Sequence, residues 1–258
     1  MTEHLLIEKR DGIATITINR PEVRNVLTGE MYQGLAQYLC DLDQDEDVSV
    51  IVIRGAGEKA FCAGSDVKYF MDKTVLERQK HFAMVAALMQ APSRISKPVI
   101  AAVHGYAFGG GCALAAASDL AIAAESALLG LPEVDIGIFP MTIAPVIIRR
   151  VGVHRAFELL MLGERVPALR AAEIGLINKA VPDAEFEAEV SRWATRLAGL
   201  TPVAVRMGKW AFYNCLDVEY QKAIGFMGNL MAISASSEDC AEGIAAFFGK
   251  RKPVWRGR

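Results

Sequence analysis

Residues 105–115 read GYAFGGGCALA, three consecutive glycines set directly before a run of small apolar residues. The stretch before them, KPVIAAVHG (97–105), is a short β-branched run with the character of a buried strand, and the alanines after Gly111 favour a helix. Gly109, Gly110 and Gly111 therefore lie where a strand hands over to a helix, and their N–H groups belong to the unsatisfied donors of a first helical turn. Without Cβ atoms they let a ligand oxygen sit against the backbone. A phosphate could be that ligand, but neither GxxxxGK[ST] nor GxGxxG occurs. The plainer alternative is that the glycines only allow close helix packing.

The same order of elements occurs upstream. VSVIVIRGAG (48–57) reads as a buried strand entering a glycine turn, and KAFCAGSDV (59–67) repeats strand, turn and approach to a helix through Ala63, Gly64, Ser65 and Asp66. Two such turns can each offer one N–H to a single developing negative charge, the geometry of an oxyanion hole. Asp66 alone would be read as an N-cap.

Around this doublet the pattern is α/β. LLIEKRDGIATITINRP (5–21) alternates on both sides of Asp11-Gly12, a hairpin signature ended by Pro21. Thr28 stands where a helix N-cap belongs, with Met31, Leu35 and Leu39 spaced for one apolar face before the acidic DLDQDED (41–47). Residues 74–92 are expected to be helical and closed by Pro92. LAIAAESALLGLPEV (120–134) adds short strands, and HRAFELLMLG (154–163) and LRAAEIGL (169–176) are amphipathic helices. From about residue 185 strand patterns disappear. EFEAEVSRWATRLAGL (185–200), PVAVRMGKWAFYNCL (202–216), VEYQKAIGFMGNLMAIS (218–234) and SEDCAEGIAAFFGKR (237–251) are helical segments parted by turn residues. A strand-rich body followed by a helical tail is expected, the body as residues 1–190 and the tail as 191–258.

Composition narrows the function classes. A chain of 258 residues, 52% hydrophobic and 22% charged, can bury a large core. A formal net charge of −2 gives no electrostatic reason to expect nucleic acid or an anionic membrane as partner. The five cysteines include no CxxC pair, so neither a disulfide framework nor a zinc ribbon is indicated and no metal is expected. The N-terminus, MTEHLLIEKRDG, lacks the basic and long apolar parts of a signal peptide, and a cytoplasmic location is expected.

Four ordered motifs, GEKAFCAGSDV (57–67), KPVIAAVHGYAFGGGCALA (97–115), LPEVDIGIFP (131–140) and FFGKRKP (247–253), resemble the crotonase (enoyl-CoA hydratase/isomerase) superfamily over nearly the whole chain. The resemblance implies a spiral of ββα units with a C-terminal helical trimerisation region, assembled as a homotrimer or dimer of trimers. It implies acyl-CoA thioester substrates, with coenzyme A as part of the substrate and no separate cofactor. The enolate-like oxygen would be held by two backbone N–H groups, which by motif position are those of Ser65 and Gly110. Losing one donor of this kind raises a barrier by roughly 3 kcal/mol. By the same similarity, backbone around Ala63, Gly64 and Asp66 would hold the adenine end of CoA, with Arg24 and Lys250 near its phosphates and Lys250 reaching a neighbouring subunit's site.

The acid/base residues depart from the familiar hydratases of that family, which carry two glutamates. The first position is Ala113 here; the second is retained as Glu133. Concerted hydration is pictured with both carboxylates gripping the water, whereas one suffices to carry a proton between two carbons. In IGIFPMTIAPVII (136–148), Met141, Thr142, Ile143 and Ala144 stand where many hydratases have a glycine-rich turn, and an apolar lining should raise a nearby carboxyl pKa. Mitochondrial-type Δ3,Δ2-enoyl-CoA isomerases resemble this pattern, so the reading leans slightly to double-bond isomerisation. Hydration of an enoyl-CoA with reduced dependence on a second carboxylate stays open beside it; dehydration, thioester hydrolysis, and a non-catalytic CoA-binding or assembly role are the further alternatives.

Lesser candidates are read structurally. Asp135, two residues past Glu133 on an assumed extended segment, would face the same side, either replacing the missing carboxylate or in a salt bridge. His104 is expected to orient backbone, Cys62 and Cys112 to pack, and His81 and His154 have no spaced metal partners. Tyr69, Phe70 and Met71 would line an acyl channel or the core equally well.

Overall fold

The structure is a computed structural model and describes residues 3–70 and 72–258, of Phe70 the backbone only. Met71 and the side chain of Phe70 thus lie outside the described residues.

The chain opens with the expected hairpin. β1 (Leu5–Arg10) pairs antiparallel with β2 (Ile13–Ile18), and the two linking residues, Asp11 (φ 52°) and Gly12 (φ 76°), take the left-handed backbone that matches a tight turn to strand twist. α1 (Gly29–Gln44) starts at Thr28, whose side chain accepts from the Met31 N–H, and buries Met31, Leu35 and Leu39 completely. β3 (Val50–Gly55) and β4 (Ala60–Cys62) follow, then α2 (Val75–Arg94), which opens on a Thr74–Glu77 capping box. Pro92 does not close α2 as expected. It lies inside the last turn, where it withholds the N–H that would bond the Leu88 carbonyl, and the helix runs on only to Arg94.

β5 (Val99–Val103), β6 (Tyr106–Phe108) and α3 (Gly110–Ala117) realise the strand, turn and helix read around the glycines. Next come β7 (Leu120–Ala124) and β8 (Leu128–Gly130), then α4 (Ala144–Leu162), interrupted at Gly152 (φ 76°, ψ 172°). β9 (Val166–Pro167), α5 (Ala168–Glu173) and β10 (Lys179–Val181) complete the body. α6 (Phe186–Ala198), α7 (Pro202–Cys215), α8 (Tyr220–Ala235) and α9 (Glu238–Phe248) form the tail, with no strand among the described residues after Val181.

Among the described residues the strands form two sheets. The larger runs β1-β2-β3-β5-β7-β10 and is parallel beyond the first hairpin; the smaller runs β4-β6-β8-β9 and is parallel except at β8-β9. Parallel strands need helical crossovers and burial on both faces, which explains why VIVI and VIAAV are unbroken apolar runs instead of alternating ones. Ile51, Ile53, Ala101 and Val103 face the main core with Leu35 and Leu88. Val50, Val52, Ile100 and Ala102 face a second cluster covered by Phe186, Val190 and Ala194 of α6. Position 190/191 therefore falls within a helix that packs on the sheet. Each large side chain fully buried this way contributes about 2 kcal/mol relative to exposure.

Polar groups tie the layers together. Buried Lys97, just before β5, donates through Nζ to the carbonyls of Leu42 (2.7 Å) and Asp45 at the end of α1. Asp43 Oδ1 accepts from the N–H groups of Ser96 (2.8 Å) and Lys97 (3.0 Å). The start of β5 is thereby locked against α1, and β5 leads through β6 into the glycine turn.

Candidate active site

The two glycine turns meet. Leu27 and Ser65 form a parallel bridge in which Leu27 N–H donates to Gly64 O (2.8 Å) and Asp66 N–H to Leu27 O (3.0 Å), while Ala63 N–H donates to Arg24 O (3.0 Å). On the other turn, Gly109 N–H donates to Gly130 O (2.9 Å). The N–H groups of Ser65 and Gly110 have no hydrogen-bond partner among the described residues, although those of Ala63, Asp66 and Gly109 beside them do. Gly64 (φ 98°) brings the turns into contact: a Cβ there would lie 2.9 Å from Phe108 O and 3.4 Å from Gly110 N.

A cavity of about 830 Å³ opens over this junction, lined by Ala63, Gly64, Ser65, Gly109, Gly110 and Glu133. Its remaining wall is mostly apolar: Val67, Phe82, Ile136, Ile138, Met141 and Ile143. Thr142 lines it too, whereas Ala144 already belongs to α4.

Glu133 sits on a 3-10 turn, Pro132–Ile136, that follows β8 and is closed by left-handed Gly137 (φ 77°). Its Oε2 is buried without a hydrogen-bond partner among the described residues, and burial raises its pKa above the ordinary carboxylate value, partly offset by its own backbone N–H. The triplet of glycines divides the work. Gly109 (φ 53°, ψ −122°) adopts a backbone that excludes a side chain and leaves room for the carboxylate. Gly110 carries the open N–H. Gly111 lets α3 lie on β4, since a Cβ there would be 2.0 Å from Cys62 O.

Ala113 is fully buried in the main core and does not line the cavity. Asp135 lines the cavity but is exposed, and the extended geometry assumed for it is incorrect. Glu133 and Asp135 share the Pro132–Ile136 3-10 helix, whose repeat of about three residues per turn points positions i and i+2 in different directions. His104 contributes its carbonyl to Phe61 N–H (2.8 Å). Cys62 and Cys112 are buried, and burial pushes their thiol pKa values up to about 12, which disfavours the thiolate. Tyr69 packs on the ring of His81 (5.2 Å) and does not line the cavity.

The expected CoA contacts are partly gathered. Arg24 is exposed beside the cavity's Ala63 through their backbone bond, with its guanidinium 5.6 Å from the Tyr106 ring centre. Asp66 lies 3.9 Å from Arg20 Nη1. Lys250 is exposed after α9 and is not part of the cavity wall of its own chain.

Sequence reasoning missed Tyr32. Its hydroxyl is 2.8 Å from Ser65 Oγ, a Cβ on Gly110 would meet it at 2.2 Å, and it lines the cavity. Next to Met31 and Leu35 it reads as one more core aromatic. The available signal was its polar tip, which a buried tyrosine must satisfy.

Among the described residues no helix is long and apolar enough to cross a membrane, and no cluster of three or more potential metal ligands occurs. Residues 8–258 match the family model for enoyl-CoA hydratase/isomerase. The short-chain-enoyl-CoA hydratase of Clostridium acetobutylicum is 32% identical over 250 residues, 96% of each chain. Among solved structures, the enoyl-CoA hydratase of Bacillus anthracis superposes with a TM-score of 0.94 at 32% identity, covering 99% of this chain and 100% of that one. Human enoyl-CoA hydratase domain-containing protein 3 gives the same TM-score and identity over 98% of this chain and 100% of its own. With the mixed α/β fold of those structures and a family match across nearly its full length, the chain belongs to the enoyl-CoA hydratase/isomerase family, the crotonase superfamily.

Proposed function

We propose that this acyl-CoA enzyme moves the double bond of an enoyl-CoA between the 3 and 2 positions, using Glu133 as its single acid/base. The observation that carries the reading is the cavity in which two N–H groups without a hydrogen-bond partner among the described residues, from Ser65 and Gly110, share a wall with one buried carboxyl group. With the thioester oxygen at the two amides, ionised Glu133 removes a proton from C2 of a 3-enoyl-CoA. The C–H electron pair delocalises through the 3,4 double bond and the carbonyl, and the oxygen gains the charge that the amides stabilise. Glu133 returns the proton at C4, leaving the 2,3 double bond and a regenerated carboxylate. The cycle consumes no water and needs no group beyond the substrate's own CoA.

The apolar wall from Val67 to Ile143 suits an acyl chain. Backbone at Ala63, Gly64 and Asp66 would receive the adenine end, Arg24 the phosphates, and Lys250 the phosphates of a CoA bound to a neighbouring subunit. That last role fits an assembly through the helical tail, residues 191–258. Phe247 and Phe248 are 79% and 78% exposed there, with Ile244, Met231 and Tyr220 also bare, which supports a homotrimer or dimer of trimers. A cytoplasmic setting completes the reading.

Hydration is the second reading, favoured by the names of the relatives, among them the crotonyl-CoA hydratase of Syntrophomonas wolfei. Incubation with cis-3- and trans-2-enoyl-CoA of several chain lengths separates the two. Isomerisation yields trans-2-enoyl-CoA from the first substrate; rapid 3-hydroxyacyl-CoA formation from the second would establish hydration instead.

A further inference from the structure

Tyr32 and Ser65 face each other as two hydroxyls 2.8 Å apart, and such a pair holds two hydrogens but uses only one between its oxygens. The second hydrogen has no acceptor among the described residues. Its position is specific. Ser65 carries one of the two open amides, Tyr32 Oη is packed against the Cα of Gly110, which carries the other, and all three residues line the same cavity. The phenol is otherwise fully buried, and burial raises its pKa, so it stays protonated and able to donate.

We propose that the spare hydrogen of the Tyr32–Ser65 pair is a third donor to the thioester oxygen, beside the amides of Ser65 and Gly110. A chain running from the phenol through the serine hydroxyl to the oxygen is polarised along its length, so each hydroxyl strengthens the other's bond as charge develops. The inference rests on the reading of the cavity as a thioester enolate pocket. It assigns to Tyr32 a part in the chemistry that the missing carboxylate at Ala113 does not supply.

The test uses the full-length protein, a substrate it turns over, and a saturated acyl-CoA isotopically labelled at the thioester carbonyl. Isotope-edited infrared reads the stretch of the bound carbonyl, which falls in frequency as its hydrogen bonds strengthen. Tyr32→Phe and Ser65→Ala, the latter keeping its amide, should each move that frequency part of the way towards its value in water. The double variant should move it further and lose about 10²-fold in kcat with KM little changed. A double variant that matches the wild type in carbonyl frequency and kcat overturns the third donor. So does one that loses stability while the bound carbonyl stays put, because that is a packing role. A wild-type protein that binds no acyl-CoA takes away the underlying reading as well, and is distinguished by failing before any variant is made.

Discussion

Gly109 makes room for Glu133: a Cβ built on the glycine would lie 2.7 Å from Glu133 Oε1, closer than a Cβ carbon comes to another heavy atom. The backbone there (φ 53°, ψ −122°) is also one that L side chains avoid. Gly109→Ala should therefore displace the carboxylate from its place beside the open amides. A shift of about 1 Å in a reacting group can cost about 10²-fold in rate. We expect that loss in kcat, with about 1–3 kcal/mol of stability from the strained backbone, read by steady-state kinetics and urea unfolding. Unchanged kcat would show that the carboxylate's place is not set by this contact.

Glu133 should govern the acidic limb of the rate profile. A base is active when ionised, and burial raises its pKa, so kcat/KM should rise with pH through a midpoint above the ordinary carboxylate range. Glu133→Gln should lower kcat by about 10³-fold and erase that limb. The linked effect on stability has the opposite sense. The folded state holds this proton more tightly than the unfolded chain, so the wild type loses stability as pH rises from the ordinary value through the raised one. Glu133→Gln should thus be the more stable protein at neutral pH, with its advantage vanishing in acid. Urea unfolding at both pH values checks this.

The hairpin at Asp11-Gly12, the cap at Thr28 and both glycine turns were legible because each depends on local backbone chemistry that neighbouring residues spell out. Glu133 was legible through its motif and the apolar run after it. Tyr32 was not, because its place at the cavity is marked by the contact with Ser65, 33 positions away, which no periodicity reports. Asp135 was misplaced by assuming an extended segment where Pro132 starts a tight turn. Pro92 read as a stop because the sequence does not show that the helix has only two residues left.

The helical tail is anchored to the body by a largely buried ion pair. Lys209 Nζ of α7 lies 2.6 Å from Asp119 Oδ2, which also accepts Val99 N–H (2.7 Å), while Tyr213 OH donates to Asp119 Oδ1 (2.7 Å). Asp119→Ala leaves a buried ammonium without its counter-ion and should cost about 3–5 kcal/mol in unfolding free energy. Adding Lys209→Met should restore part of that loss, a coupling that a double-mutant cycle measures. Additive losses would mean the two groups act independently.

Phe248, 78% exposed at the end of α9, should be covered by assembly. If the proposed trimer or dimer of trimers forms through this face, Phe248→Glu is expected to shift it towards monomer, as read by light scattering. A wild type that is already monomeric would remove the assembly role of the tail.

In the proposed reaction the first step is transfer of a C2 proton to Glu133 while the amides of Ser65 and Gly110 hold the carbonyl oxygen. A saturated acyl-CoA, which has no double bond to hydrate or shift, isolates that step when incubated with the protein in deuterium oxide and followed by mass spectrometry. Incorporation of deuterium at C2 by the wild type and its loss in Glu133→Gln is the expected result. No incorporation by the wild type, or the same rate in the variant, would contradict it.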